Sequence, residues 1–361
     1  MTTSLLTPSR RSLLAGGSAL GLASMLPSFA LAQDKVKLTQ FIWTGAQEPT
    51  PRRIAAEYMA AHPNVTIEMI AGTNGATYPQ LQASRDIDPK NPLLNLGFFN
   101  MDATARGRAV DLWLPITEAN VPNVAHILPA YRQPNDLGAI FCMDVGGLAY
   151  NTGAFSTAPD SWEMIFDPAL RGKVALFDSF WAGNAFSVMA KLRGGSEKDA
   201  EVAFELYEKA ARDGQFHSLV TSNAQLQQLL VSGEVVLAPH FRGVVLPWAK
   251  GGAPIGYAVP KEGQVAFPEG FQLVNGSSDA QIAACHELLN ISLSAENVLD
   301  YCVTAHVVPL TDNITLPAEL ADDPAIQPEA IAAAIQLDYA AIAANAAAWS
   351  QEWNRRVKAN L

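Results

Sequence analysis

Short apolar runs and amphipathic segments follow one another in a repeating order along the chain. Residues 36–43 and 65–70 have the apolar character of strands, and the apolar positions between them follow the spacing of a helix. The same order returns over residues 148–260, and the chain becomes helix-rich after residue 280. An Ala-rich helix is predicted over residues 327–360. Strands that alternate with helices predict an α/β fold with a doubly wound, mostly parallel sheet.

The first 32 residues do not follow this pattern. Arg10 and Arg11 precede an apolar run rich in Gly and Ala, and the sequence Ala-Leu-Ala ends at Ala32. Paired arginines, a short apolar run and small residues before a cleavage site are typical of a twin-arginine signal peptide. The run is shorter than the roughly 20 apolar residues of a membrane span. We therefore expect residues 1–32 to be a cleaved export signal. The sequence has no cysteine near the expected cleavage site, so it does not predict a lipid anchor.

Composition narrows the class of protein that follows the signal. The 329 residues left of 361 favour two domains of roughly 150 residues each. Hydrophobic residues make up 49% and charged residues 16%, which is typical of a globular chain. Two of the 24 basic residues belong to the signal, so 22 basic and 35 acidic residues remain, a net charge of −13. This balance argues against a nucleic-acid partner, and no later segment predicts stable membrane insertion.

Spacing of reactive residues gives little support to an enzyme. The chain contains no Gly-x-Ser-x-Gly, no phosphate-binding lysine loop and no Gly-x-Gly-x-x-Gly motif. Acidic residues are plentiful, so a hydrolase that uses a pair of carboxylates stays a lower-ranked alternative. Cys285 and Cys302 could form a disulfide, or together with Cys142 they could be small buried apolar residues. Neither their spacing nor that of the histidines predicts a metal or another cofactor.

Several motifs occur in a defined order over nearly the whole chain after the signal. They are Trp43-Thr44-Gly45 and the segments 147–152, 159–162, 167–168, 172–174, 229–235 and 259–263. Together they resemble the periplasmic solute-binding proteins of ABC importers, in the group that includes polyamine-binding and ferric-iron-binding members. The resemblance implies a monomeric periplasmic protein of two α/β lobes, which closes about a hinge on a small solute and delivers it to a membrane permease.

The chain has no recognisable linker, so the two lobes are expected to interleave in sequence. The implied lobes are residues 36–142 plus 266–308, and residues 145–262 plus 312–361. Strand-end positions and the resemblance together give the candidate ligand-binding residues. They are Trp43, Thr44, Asn74, Thr77, Asp178, Trp181, His240, Arg242, Phe267, Glu269 and His306.

The candidate residues carry both signs of charge. The resemblance implies that Asp178 and Glu269 hold an ammonium group, with Trp43 and Phe267 as aromatic walls. Arg242 departs from the polyamine-binding pattern, and it would either neutralise a carboxylate or bind an anion. We therefore expect a polar, amine-containing solute, polyamine-like or zwitterionic. The alternative is an anionic organic solute anchored by Arg242. Ferric iron fits less well because the eight tyrosines are all isolated from one another.

Overall fold

The computed structural model describes residues 35–178, 185–321 and 323–361. The predicted signal peptide, residues 1–32, and the candidate Trp181 lie outside this part of the chain. Val36–Leu361 forms one compact unit. Within the described residues, no helix combines the length and the apolar character needed to cross a membrane.

One mixed sheet runs through the described part of the molecule. Its strands are β1 (Val36–Trp43), β2 (Val65–Gly72), β3 (Leu96–Asn100), β4 (Trp113–Leu114), β5 (Ala139–Asn151), β6 (Val174–Phe177), β7 (Phe216–Val220), β8 (Leu237–Phe241), β9 (Ile255–Ala258), β10 (Val265–Val274) and β11 (Val308–Pro309). The main order is β2-β1-β3-β10-β5-β8-β6-β7, with β4 beside β10 and with β9 and β11 beside β5.

Parallel strands form the two ends of the sheet, and antiparallel strands join them. β1 is parallel to β2 and β3, and β6 is parallel to β7 and β8. The two long strands β5 and β10 are antiparallel to each other and to their outer neighbours β8 and β3. The predicted α/β fold is therefore confirmed, with an antiparallel pair of crossover strands between its two parallel halves.

Helices pack against this sheet. They are α1 (Pro49–Ala61), α2 (Asn74–Ile87), α3 (Met101–Ala109), α4 (Ala185–Leu192), α5 (Glu201–Arg212), α6 (Asn223–Ser232), α7 (Arg242–Lys250), α8 (Asp279–Ser292), α9 (Ala295–Ala305), α10 (Ala318–Ala321), α11 (Pro328–Ala332) and α12 (Tyr339–Arg356). Short 3-10 helices span Gly45–Gln47, Pro122–His126, Pro129–Tyr131, Pro134–Asp136, Trp162–Phe166, Pro168–Leu170, Pro324–Ile326 and Lys358–Asn360.

The predicted continuous helix over residues 327–360 is wrong. Between α11 and α12 the backbone of Ile335 pairs with the chain around β10. Its N–H donates to the Gln264 carbonyl at 2.8 Å, and its carbonyl accepts from Ala266 N–H at 3.0 Å. Asp338 then caps α12 by accepting from Ala341 N–H at 3.0 Å. The alanine content favours a helix, but these tertiary hydrogen bonds override that local preference.

Two large apolar cores lie at opposite ends of the crossover strands. One core packs α4, α5 and α12 against the end of β5 and the start of β10. The other packs α1, α8 and α9 against the start of β5 and the end of β10. Each crossover strand thus contributes to both cores, as expected for a two-lobed binding protein. The lobe boundaries drawn from the sequence stay a prediction.

All three cysteines carry buried free thiols. Cys142, Cys285 and Cys302 belong to the same apolar core. The sequence left two alternatives open for these cysteines, a disulfide or small buried apolar side chains. The structure agrees with the second, since Cys285 and Cys302 form no disulfide in it.

Candidate functional site

A cavity of about 300 Å³ opens at the crossover strands, where strand ends meet the beginnings of helices. Its wall combines the end of β1 and the turn after it, the middle of β5 and β10, and the first residues of α6 and α7. This position agrees with the rule that α/β sheets bind ligands beyond the carboxyl ends of their strands. Two acidic side chains and four aromatic rings line it: Asp144, Glu269, Trp43, Phe241, Trp248 and Phe267.

The two acidic side chains reach the cavity because of the strand register. Asp144 on β5 lies directly opposite Phe267 on β10. Residues opposite each other in an antiparallel pair share a face, and a residue two positions further along shares it too. Asp144, Phe267 and Glu269 therefore point to one side of the sheet. Asp144 is 5% exposed and Glu269 2% exposed, so both carboxyl groups are almost completely removed from water.

Asp144 is partly prepared to carry a negative charge. Its Oδ1 accepts hydrogen bonds from Val145 N–H at 2.7 Å and from Gly243 N–H, in the first turn of α7, at 3.0 Å. Burial raises the pKa of Asp144 to about 6, although these backbone donors and the nearby Arg242 act in the opposite direction. At neutral pH this carboxyl group is therefore mainly ionised.

Glu269 has far less support for a negative charge. Burial raises its pKa well above the ordinary value, and the charge of Asp144 raises it further. A hydrogen bond with Gln47 is the one influence that lowers it. The buried Oε2 of Glu269 has no hydrogen-bond partner among the described residues. The cavity therefore contains a buried acceptor oxygen that is available to a ligand.

The aromatic walls are held in place by their own contacts. The indole N–H of Trp43 donates to the Phe98 carbonyl at 3.1 Å. The rings of Phe241 and Phe267 lie 4.7 Å apart. Such rings present electron-rich faces to a cation and apolar surface to an alkyl chain.

His240 supports this wall from behind. It stacks on Phe177 with ring centroids 5.0 Å apart and lies 5.5 Å from the ring of Trp248. Burial lowers the pKa of His240 to about 3, so its ring is neutral at physiological pH. The ring of His240 thus packs between two aromatic neighbours, and its binding role stays a prediction.

Arg242 is occupied by partners outside the cavity. It is 1% exposed, and its guanidinium donates to the His306 carbonyl at 2.5 Å and to the Asp323 carboxylate. His306 can offer this carbonyl because it ends α9 in the left-handed conformation, with φ of 57°. Burial and the neighbouring cations Lys250 and Arg242 lower the pKa of His306 to about 4. Asp323 is thus the carboxylate that Arg242 pairs with directly.

The remaining candidates lie around the cavity or apart from it. Thr44 belongs to the cavity wall. Asn74 and Thr77 are buried in the first turns of α2, where Asn74 Oδ1 accepts from Asn100 N–H at 2.7 Å. Asp178, directly after β6, pairs with Lys358 at 2.5 Å. The binding roles of all the sequence candidates stay predictions, although Trp43, Thr44, Phe267 and Glu269 meet in one cavity.

Sequence reasoning missed Asp144, Phe241 and Trp248. Asp144 is a single acidic residue within the otherwise buried, largely apolar strand Ala139–Asn151, and that isolation is the signal that could have identified it. The part of the chain that the structure describes brings no three His, Cys, Asp or Glu side chains together as metal ligands.

Comparison with known proteins gives a family match. Residues 53–328 match the family described as bacterial extracellular solute-binding protein. No curated protein matches the chain by sequence.

Solved structures give the fold independently. An ABC transporter substrate-binding protein from Bradyrhizobium japonicum is 19% identical with a TM-score of 0.73, over 89% of this chain and 99% of its own. The spermidine/putrescine substrate-binding protein PotD from Streptococcus pneumoniae is 15% identical with a TM-score of 0.72, over 90% and 99%. The binding protein AgtB from A. tumefaciens R10, in complex with agropinic acid, is 18% identical with a TM-score of 0.70, over 90% and 99%. These likenesses show the fold.

Proposed function

Because the chain belongs to the bacterial extracellular solute-binding protein family, we propose that it captures a small amine-bearing solute in this cavity and delivers it to an ABC permease. The observation that carries the proposal is the buried, unpartnered Oε2 of Glu269 beside a second buried carboxyl group, Asp144. A protonated amine supplies both the positive charge and the N–H donors that such an oxygen lacks. The periplasmic location, the export signal over residues 1–32 and the lobe boundaries are part of this proposal.

The walls of the cavity suit the rest of such a solute. Trp43, Phe241, Trp248 and Phe267 offer aromatic surface to an ammonium group and to the carbon chain attached to it. Thr44 and Asn223 supply polar atoms in the same wall, so a zwitterion is accommodated as well as a plain amine. Among the fold relatives, one is a spermidine/putrescine substrate-binding protein and another is in complex with agropinic acid.

The arrangement around Arg242 argues against the anionic alternative. Its guanidinium already pairs with Asp323, and its side chain is not part of the cavity wall within the described residues. The first-turn N–H of Gly243 donates to Asp144, so this helix end already has its negative partner. An anion in the cavity would lie next to the ionised carboxylate of Asp144, which repels it.

Binding would also close the molecule. The cavity wall draws on β1 and α9, which belong to one core, and on α7 and β8 on the other side of the crossover strands. A solute that contacts both sides stabilises the closed arrangement, and that arrangement is what a permease would recognise.

Isothermal titration calorimetry on the purified protein tests the proposal. Putrescine, spermidine, arginine, citrate, glucose 6-phosphate and ferric ion form the panel. We expect an amine to bind and the double variant Asp144→Asn/Glu269→Gln to weaken it by about 100-fold or more, since a buried charge partner is lost. Asp213→Asn, which neutralises an exposed carboxylate, is the matched control and should bind normally. Binding of citrate or the sugar phosphate without any amine would overturn the proposal.

A further inference from the structure

The surroundings of Glu269 contain acidic and neutral groups. Five side chains from four parts of the fold act on Glu269 or are acted on by it. They are Asp144 and Cys142 of β5, Tyr301 of α9, Tyr339 of α12 and Gln47 in the turn after β1. Asn100 of β3 lies opposite Glu269 in the sheet. Asp102 of α3 acts on Tyr339, and Arg106 pairs with Asp102 at 3.1 Å. Among the described residues, Glu269 therefore has no cationic side chain as a direct partner.

The nearest cation acts on the other carboxyl group. Arg242 lies close enough to favour the ionised form of Asp144, and its guanidinium bonds directly to Asp323. Asp144 also has two backbone N–H donors, whereas Glu269 has the amide of Gln47. Two negative charges on one buried face repel each other, so the better supported group ionises and the other keeps its proton.

We infer that the cavity exchanges a proton for its ligand: Glu269 carries a proton while the cavity is empty and gives it to water when an ammonium group binds. The inference rests on the proposed function and deepens it. The O–H bond of the Glu269 carboxyl group breaks, a water molecule takes the proton, and the carboxylate accepts N–H hydrogen bonds from the ammonium. At Glu269 one positive charge therefore enters with the ammonium group and one leaves with the proton.

This exchange makes the cavity selective in a way that shape alone does not. A neutral solute of the same shape supplies no charge to stabilise the Glu269 carboxylate, so it cannot drive the proton out. An ammonium group gains in affinity as the pH rises, because protons compete less for the same oxygen. While Glu269 is protonated in the empty protein, the Kd should fall by about tenfold per pH unit for a one-proton exchange.

Calorimetry in buffers of different ionisation enthalpy tests the exchange directly. Putrescine is the probe, near neutral pH. A plot of the observed binding enthalpy against the ionisation enthalpy of the buffer should have a slope that corresponds to about one proton released per ligand. Glu269→Gln should abolish the release and weaken binding, whereas Asp213→Asn should leave both unchanged. If Glu269 is the source of the proton, putrescine binding to Asp144→Asn should still release one.

The outcomes separate this inference from the proposed function. Putrescine binding by the wild-type protein without proton release overturns the exchange and leaves the amine-binding proposal standing. Release that persists in Glu269→Gln but disappears in Asp144→Asn also overturns it, because the proton then comes from Asp144. Failure of every amine to bind overturns both proposals. Where a variant does not fold, the absence of proton release from the wild-type protein still overturns the exchange.

Discussion

The buried carboxyl group of Asp144 should lower the stability of the protein as the pH rises. Its pKa is 3.8 when exposed and about 6 in the folded protein. Because the folded pKa is the higher one, the folded protein keeps the proton longer than the unfolded chain does. Stability therefore falls as the pH rises from about 4 to about 6, and it stays reduced above that range. At 1.36 kcal/mol per pKa unit, the full loss is about 3 kcal/mol.

Asp144→Asn removes this loss because an amide does not ionise, while its oxygen can still accept from Val145 and Gly243. We expect the stability of the variant relative to the wild type to increase by about 2.5 kcal/mol between about pH 4 and about pH 8. Urea unfolding of both proteins, followed by circular dichroism at each pH, measures the difference and cancels the other titrating groups.

Asp213→Asn is the control for this measurement. Lys209 lowers the pKa of Asp213, so its neutralisation should change relative stability in the opposite direction with pH. A difference between Asp144→Asn and the wild type that stays constant over this pH range would refute the reasoning about burial.

Two further substitutions, and a third that serves as a matched control, test packing near the site. Arg242→Met should lower the free energy of unfolding by about 3 kcal/mol, since Asp323 loses its buried partner. Urea unfolding measures this, and unchanged stability would contradict the role given to the Arg242–Asp323 pair. Gly270→Ala should destabilise by more than about 3 kcal/mol, because its Cβ would lie 2.0 Å from the Ala139 carbonyl oxygen. Gly75→Ala, with no atom within 4 Å of its Cβ, should change stability by less than about 1 kcal/mol, and equal losses in the two variants would contradict the steric argument.

The first two strands could be predicted well from the sequence alone. The runs at 36–43 and 65–70 correspond to β1 and β2 because their hydrophobic patterns arise from burial within one local element. The helix predicted over 327–360 was wrong, since Ile335 pairs with the chain around β10, about 70 residues earlier. Local composition carries no information about such a distant hydrogen-bond partner.

The same limit applies to the site. The resemblance to known proteins drew attention to Trp43, Phe267 and Glu269, which the fold brings into one cavity. Asp144 was missed because its isolation in an apolar strand marks it as unusual but does not show which cavity its side chain faces. Arg242 was expected to meet a ligand or a cleft carboxylate, but its direct partner is Asp323, 81 residues away.

The positions of the tryptophans give the protein a built-in optical reporter. Trp43 and Trp248 line the cavity, whereas Trp113, Trp162 and Trp353 are almost fully buried in the cores. The emission of an indole depends on the charge and polarity next to its ring, so an arriving ammonium group acts on the first two and leaves the core residues as a constant background. Occupancy of the cavity can therefore be followed by intrinsic fluorescence, without attaching a dye.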